Sequence, residues 1–173
     1  MKQPGFTWFH LIAAASFGFI TSEICRIAVR RYRLLRRRSI IRSIESQAEN
    51  ASSDSEYKVI FCVRNDLKMT KGKIAAQVGH ATLGLYQRAR RKPGMSDSLL
   101  SWEYSGQAKI AVQINSEQEA KDLERSARRK GLNTYAVFDA GRTQIAEGSL
   151  TVLAIGPAKK PVLDSVTGHL KLL

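Results

Sequence analysis

The 173-residue sequence predicts an α/β fold preceded by an N-terminal membrane helix. Residues 59–63 (VIFCV) form a continuous apolar run, which is typical of a central strand covered on both faces. Strand-like and helix-like segments then alternate along the chain, and two strands follow each other closely near its end. This order indicates a sheet that is largely parallel and closes with an antiparallel pair.

The chain is strongly basic, with a formal net charge of +13 and an isoelectric point near 10.1. Eight arginines lie between residues 26 and 42, yet residues 57–173 still carry 19 Lys and Arg against 10 Asp and Glu. A polyanion is therefore the expected partner, either nucleic acid or an anionic membrane surface. With only Cys25 and Cys62, a disulfide framework is excluded. The Cys and His residues lack the spacing of a metal site, so we expect no metal.

The N-terminal region combines an apolar segment with a basic arm. Residues 6–25 are mostly apolar, and about 20 such residues can cross a bilayer. Because the arginines follow directly and only Lys2 precedes them, the positive-inside rule places the C-terminal domain in the cytosol. We expect residues 1–42 to form a signal anchor and basic arm. A mitochondrial targeting segment and an amphipathic surface helix are the alternatives, and a cleaved secretory peptide is disfavoured because no A-x-A site closes the apolar segment.

A folded domain is predicted at residues 57–173, joined to the arm by a flexible polar linker at residues 43–56. Its strands are expected at residues 57–64, 109–114, 134–138 and 150–155, with Gly156-Pro157 stopping the last one. Its helices are expected from Thr70 as N-cap to just before Pro93, at residues 96–104, and from the Ser116/Glu119 capping box to Lys130 with Gly131 as C′. The tail is predicted to pack a helical turn through Val162, Leu163 and Val166.

The first long helix carries a polar stripe along one face. At 100° per residue, Lys73, Gln77, His80 and Gly84 fall together. A third face consists mostly of small residues (Ala75, Ala76, Gly79 and Leu83) and suits a helix lying close against a sheet. Lysines in a first helical turn are disfavoured by roughly 0.3–1 kcal/mol, which a bound anion would reverse. Solvated lysines remain the alternative.

Two aspartates follow predicted strands, and ligands of open α/β sheets bind beyond the carboxyl ends of the strands. Asp66 comes after the first strand and Asp139 after the third, so both can face the start of the helix that carries Lys73. A local turn role is the alternative for each of them. Neither a P-loop motif nor a G-x-S-x-G motif occurs, so an NTPase and a serine hydrolase are disfavoured.

Three segments carry a family resemblance. RNDLKMTKGKIAAQVGHA, DAGRTQIAEGSLTVLAIGP and VTGHLKLL occur in this order and resemble the archaeal and eukaryotic family of peptidyl-tRNA hydrolases. The resemblance implies a three-layer α/β/α sandwich around a four-stranded mixed sheet. It also implies hydrolysis of the ester between a peptide and the terminal ribose of tRNA, with no cofactor. The N-terminal arm is similar to that of the membrane-anchored mitochondrial animal members.

The resemblance also implies roles for individual residues. The catalytic residues would be Lys73, Asp139 and Thr143. Supporting residues would be Gln77, His80 and Thr167, and the candidate tRNA-binding cations are Lys71, Arg142 and Arg64. Asp139 would orient or deprotonate a water, Thr143 would position that water or the ribose, and Lys73 would stabilise an oxyanion or contact a phosphate.

Besides peptidyl-tRNA, the expected partners are a membrane and proteins of cell-death signalling. We expect the anchor in the mitochondrial outer membrane, with the endoplasmic reticulum membrane or the cytoplasm as alternatives. The competing function is a membrane-anchored adaptor in apoptosis that depends little on catalysis. A tRNA-binding module without turnover is a third interpretation.

Overall fold

The computed structural model describes residues 8–48, 56–141 and 145–173. The chain divides into two units, residues 1–39 and residues 40–173. Helix α1 (Trp8–Ala48) runs without a break through the arginine-rich arm and into the first residues of the predicted linker. Residues 49–55 of that linker lie outside the described part. The predicted boundaries at residues 42 and 56 therefore stay predictions.

The predicted membrane helix at residues 6–25 is not supported. Within the described residues, no helix has a stretch that is both long and apolar enough to cross a membrane. Near the end of the predicted span, Glu23 accepts a hydrogen bond of 2.6 Å from Arg26. A carboxylate at this point interrupts the apolar run, which is unfavourable inside hydrocarbon.

The domain is built on a four-stranded mixed sheet. Its strands are β1 (Tyr57–Arg64), β2 (Ala108–Ile114), β3 (Thr134–Phe138) and β4 (Leu150–Lys159), in the order β2-β1-β4-β3. β1 is parallel to β2, whereas β4 is antiparallel to both β1 and β3. The mixed sheet is confirmed. The expectation of a largely parallel sheet is wrong, because β4 inserts between β1 and β3 and adds two antiparallel pairings.

In the described part of the domain, four helices cover the sheet. They are α2 (Lys71–Arg91), α3 (Ser96–Tyr104), α4 (Glu117–Arg129) and α5 (Lys160–Thr167). Val59 and Phe61 of β1 pack on the side of α2 and α3, while Ile60 and Cys62 pack on the side of α4 and α5. Successive side chains of a strand point to opposite faces, so this continuous apolar strand supplies both cores at once.

The local sequence signals for the helix ends are confirmed. The Thr70 hydroxyl accepts the Lys73 N–H at 3.4 Å, and the Ser116 hydroxyl accepts the Glu119 N–H at 3.0 Å. Gly131 has a φ of +73°, the conformation that a C′ glycine adopts after a helix. These caps satisfy backbone groups that a helix cannot pair internally.

β4 continues through Gly156-Pro157 to Lys159, so the prediction that this dipeptide stops the strand is wrong. The register with β1 shifts between Lys58 and Ile60, and Gly156 adopts a φ of +121°. A β-bulge of this kind accommodates a proline, which has no N–H to give to the ladder.

The tail closes one edge of the sheet. In α5, Leu163 and Val166 are buried as predicted, but Val162 is 40% exposed, so that part of the prediction is wrong. The last residues then run beside β2, where Gln113 N–H donates to the Lys171 carbonyl at 2.8 Å and Leu173 N–H donates to the Ala111 carbonyl at 3.1 Å. The outer edge of β2 is thereby covered.

Candidate active site

The first turn of α2 and the carboxyl end of β3 meet at one carboxylate. Lys73 Nζ donates a hydrogen bond to Asp139 Oδ2, and Gln77 Nε2 donates to the same oxygen at 2.8 Å. Gly141 N–H donates to the other oxygen, Oδ1, at 2.8 Å. The side chain of Asp139 is only 2% exposed. Three donors therefore hold a buried carboxylate in one orientation.

This arrangement keeps Asp139 ionised. The hydrogen bond from Lys73 lowers the pKa of Asp139 below its ordinary value, and the Gly141 N–H and the charge of Lys73 add to the effect, while burial opposes it. A buried carboxylate is tolerated when it is paired and hydrogen-bonded in this way. The charge itself is therefore a fixed part of the site at neutral pH.

Backbone hydrogen bonds of Asp139 join the two ends of the loop that follows β3. The Asp139 N–H donates to the Ser149 carbonyl at 2.9 Å, and the Asp139 carbonyl accepts the Gly148 N–H at 2.8 Å. Gly141 has a φ of +71°, and a Cβ there would lie 2.7 Å from the Cβ of Glu147. Glycine is required at this point for its conformation and for the close approach.

A second buried contact orients Gln77. Thr151 in β4 is fully buried, and its hydroxyl lies 3.0 Å from Gln77 Oε1 and 3.2 Å from the Val137 carbonyl. When the hydroxyl donates to Oε1, the amide of Gln77 must turn its NH₂ group toward Asp139. Sequence reasoning missed Thr151, although a hydroxyl inside the apolar strand LTVLAI was the signal that could have found it.

An open cleft of about 620 Å³ lies between α2 and β3 and contains the Lys73–Asp139 pair. From α2 it is lined by Lys73, Gln77, His80, Leu83, Gly84 and Gln87, and from the other side by residues 135–140. A Cβ at Gly84 would lie 2.2 Å from the ring of Tyr135, so glycine allows the ring to lie directly against the helix. The polar stripe predicted on this helix therefore faces a cleft.

The prediction for the small-residue face of α2 is wrong. Ala75, Ala76, Gly79 and Leu83 are exposed, and the helix instead buries Gln77, Ala81, Leu85 and Ala89 against the sheet. The buried stripe includes a polar residue because Gln77 has both Asp139 and Thr151 as partners.

Other predicted site residues lie elsewhere. The Thr167 hydroxyl donates to the Leu163 carbonyl at 2.9 Å within α5, on the opposite side of the sheet from the cleft. Lys71 is exposed in the first turn of α2 and is not among the residues that line the cleft. Arg142 and Thr143 lie outside the described residues. Of the nine predicted site residues, the structure brings together Lys73, Gln77, His80 and Asp139.

Arg64 and Asp66 satisfy each other. Arg64 is only 8% exposed, and its Nε and Nη2 donate to the two oxygens of Asp66 at 2.6 and 2.5 Å. Its Nη1 lies 3.3 Å from the Leu150 carbonyl. Asp66 therefore pairs with Arg64 and not with Lys73, and the guanidinium uses its donors inside the domain. No group of three His, Cys, Asp or Glu that could hold a metal forms among the described residues.

The region that carries these features matches a known protein family. Residues 57–173 match the model of the family described as peptidyl-tRNA hydrolase PTH2. The chain belongs to the PTH2 family. In this PTH2 chain, the matched region contains the whole sheet, α2 to α5 and the cleft.

Individual relatives agree with this assignment. The chain is 52% identical over 139 residues to a probable peptidyl-tRNA hydrolase 2 of Drosophila melanogaster, covering 76% of this chain and 73% of the relative. It is 50% identical over 129 residues to the human protein named peptidyl-tRNA hydrolase 2, mitochondrial, covering 74% and 70%. It is 46% identical over 117 residues to a peptidyl-tRNA hydrolase of Methanocaldococcus jannaschii, covering 67% and 99%. None of these names refers to cell-death signalling.

Proposed function

We infer that this chain hydrolyses the ester between a peptide and the 3′ ribose of tRNA, which releases the tRNA for reuse. The observation that supports this most directly is the Lys73–Asp139 pair, buried at the end of an open cleft in a chain of the PTH2 family. A fixed carboxylate beside an ammonium can hold a water and stabilise negative charge that develops on an ester oxygen.

In the proposed mechanism, Asp139 accepts a hydrogen bond from the attacking water. A carboxylate with a lowered pKa is a weak base, so we assign it the orienting role. The water oxygen bonds to the ester carbonyl carbon, and the bond from that carbon to the ribose oxygen breaks. One water proton passes to the ribose oxygen, and the other leaves with the peptide acid.

Lys73 is the proposed oxyanion stabiliser. An ammonium group has three donors, so Lys73 can keep its hydrogen bond to Asp139 and still donate to the carbonyl oxygen of the ester. Gln77 holds the shared carboxylate in place, with Thr151 behind it. His80 lines the cleft and keeps a supporting role as a proposal, whereas Thr167, whose hydroxyl bonds within α5, is given no role in this mechanism. Thr143 would position the water or the ribose.

The direct test is an assay of the full chain with N-acetyl-aminoacyl-tRNA, in which release of the acylated amino acid is followed. We expect multiple turnovers. Saturable binding of the intact substrate without release would contradict the proposed function and would indicate a tRNA-binding module.

The pH dependence of kcat/KM should distinguish carboxylate from imidazole chemistry. Because the pKa of Asp139 is lowered, its carboxylate stays ionised as the pH falls from 8 to about 5, and the orienting group is not lost in this range. We expect no fall in rate there. A loss with an apparent pKa of about 6–7 would instead indicate an imidazole as the base.

Replacement by alanine should change tRNA affinity at Lys71 and the stability of the domain at Arg64. Lys71 is an exposed cation in the first turn of α2, so Lys71→Ala should weaken tRNA binding severalfold and reduce the slope of log affinity against log salt by about 1. Arg64→Ala should lower the free energy of unfolding by about 1.5–3 kcal/mol, because it removes charged hydrogen bonds in the domain. The measurements are salt-dependent tRNA binding and urea denaturation. Equal losses of tRNA affinity in the two variants would contradict this separation.

We propose a mitochondrial location for the full chain. The support is that the human and bovine relatives carry the word mitochondrial in their names, together with the arginines of α1. Cell fractionation with and without residues 1–42 tests it, and an unchanged distribution of the shortened chain would contradict a targeting role of the arm.

A further inference from the structure

The two edge strands of the sheet, β2 and β3, differ in whether another segment hydrogen-bonds to their outer sides. The edge of β2 is covered by the C-terminal residues, through the hydrogen bonds of Lys171 and Leu173. β3 forms the other edge, and among the described residues no strand pairs with its outer side. An open edge presents unpaired N–H and C=O groups that can hydrogen-bond to another extended chain.

The register identifies the outward groups in the first part of β3. Gly156 N–H donates to the Asn133 carbonyl at 2.9 Å, so these two residues form a hydrogen-bonded pair. Hydrogen-bonded and non-hydrogen-bonded pairs alternate along an antiparallel ladder. Tyr135 therefore directs its backbone groups toward β4, whereas Thr134 and Ala136 direct theirs away from it.

The register shift after Val137 extends this pattern to the end of the strand. Asp139 N–H donates to the Ser149 carbonyl at 2.9 Å, which makes the next hydrogen-bonded pair. Phe138, just before it, therefore also directs its N–H and C=O outward. The outward groups of Thr134, Ala136 and Phe138 form a row that leads to the catalytic carboxylate.

This row runs beside the cleft. The cleft is lined by residues 135–140 on one side and by Leu83 and His80 of α2 on the other. Phe138 and Leu83 are 57% and 58% exposed, although both are large apolar residues. The cleft thus combines a backbone edge with apolar surface, and the Lys73–Asp139 pair lies at one end of it.

We propose that the peptide part of the substrate binds as an added strand on the open edge of β3. This inference rests on the proposed function, since it concerns the peptide of peptidyl-tRNA. The carboxyl end of the peptide carries the ester and must lie at Asp139, which follows the carboxyl end of β3. The bound peptide therefore runs parallel to β3, with its amino end toward Thr134.

Binding through the backbone suits this substrate. Peptides on tRNA have no common sequence, and main-chain hydrogen bonds to a strand edge do not depend on side chains. The exposed ring of Phe138 and the exposed methyl groups of Leu83 can contact peptide side chains of many shapes. An unblocked aminoacyl ester lacks a peptide backbone and cannot use the edge.

The test is a series of tRNA substrates that carry one to four residues behind the same esterified amino acid, each N-acetylated. We expect kcat/KM to rise about threefold to tenfold for each residue that reaches an outward group of β3, and little for the residues between them. Single N-methylation of the peptide amides should lower kcat/KM at every second position only. Equal rates for all lengths and all N-methylated substrates would overturn the proposal.

A variant of the edge gives an independent measurement. Ala136→Pro removes one outward N–H, and proline is tolerated on an edge strand where its nitrogen faces away from the ladder. This variant should lose most of the gain in kcat/KM with peptide length. Ala136→Val adds bulk of similar size but keeps the N–H, and it should keep that gain. Loss of the gain in both variants would contradict a backbone contact, and the substrate series decides the matter if Ala136→Pro fails to fold.

Failure of this inference is distinct from failure of the proposed function. Without hydrolysis of any acylated substrate, the proposed function itself is wrong. Hydrolysis at one rate whatever the peptide overturns only the role of β3.

Discussion

Replacing Asp139 by asparagine should lower kcat by about 100-fold to 1000-fold, the range found when a preorganised group at a reacting centre is removed. Asparagine has nearly the same shape, so the change removes the charge that Lys73 and the Gly141 N–H now hold in place. Its amide would present an NH₂ group or a neutral oxygen to the water. The measurement is single-turnover release of N-acetyl-amino acid from tRNA at saturating enzyme.

Asp66→Asn is the matched control. Asp66 is also an aspartate paired with a cation, but its partner is Arg64 and not Lys73. We expect kcat within about twofold of wild type and a loss of stability only. A kcat near wild type for Asp139→Asn, in a protein that unfolds normally, would contradict the proposed mechanism.

The Lys73–Asp139 pair should also behave as one unit. Lys73→Ala should cost a similar factor in kcat, and the double variant should be little slower than either single variant, since removing one partner already disables the other. Multiplicative losses in the double variant would show that the two side chains act separately.

Replacing Phe61 by alanine should lower the free energy of unfolding by about 3–5 kcal/mol. Phe61 is 1% exposed on β1, a central strand, and packs on the side of α2 and α3. The variant leaves a cavity that the surrounding helices fill only in part. Urea denaturation at constant m-value measures the change.

Phe138→Ala provides the comparison for stability, because Phe138 is 57% exposed at the end of β3. We expect a change within about 0.5 kcal/mol. Similar losses for both phenylalanines would mean that the ring of Phe138 is buried in solution and does not contribute exposed apolar surface to the cleft.

Much of the fold could be predicted because its signals are local. Strands β1 and β3 and helix α3 begin and end where the apolar patterns and polar flanks predict. The caps at Thr70 and Ser116 were recognisable because a cap is a contact between residues only three apart. The failure at Gly156-Pro157 has a different cause, since the bulge that accommodates the proline depends on β1, about 100 residues earlier in the chain.

For the candidate site, the sequence by itself determined the polar stripe of α2 and placed an aspartate after β3. The helical repeat brings Lys73, Gln77 and His80 to one face whatever surrounds the helix. Only the tertiary structure decided which aspartate Lys73 meets, since Asp66 and Asp139 both follow strands. Asp66 pairs with Arg64, and the position of β3 at the edge brings Asp139 to Lys73.

The tertiary structure also decided the contact of Thr151 with Gln77 and the open edge of β3. Both depend on β4 lying between β1 and β3, a pairing of strands distant in sequence. Strand order is set by the burial of whole faces of a sheet, and the periodicity of a single segment carries no record of it.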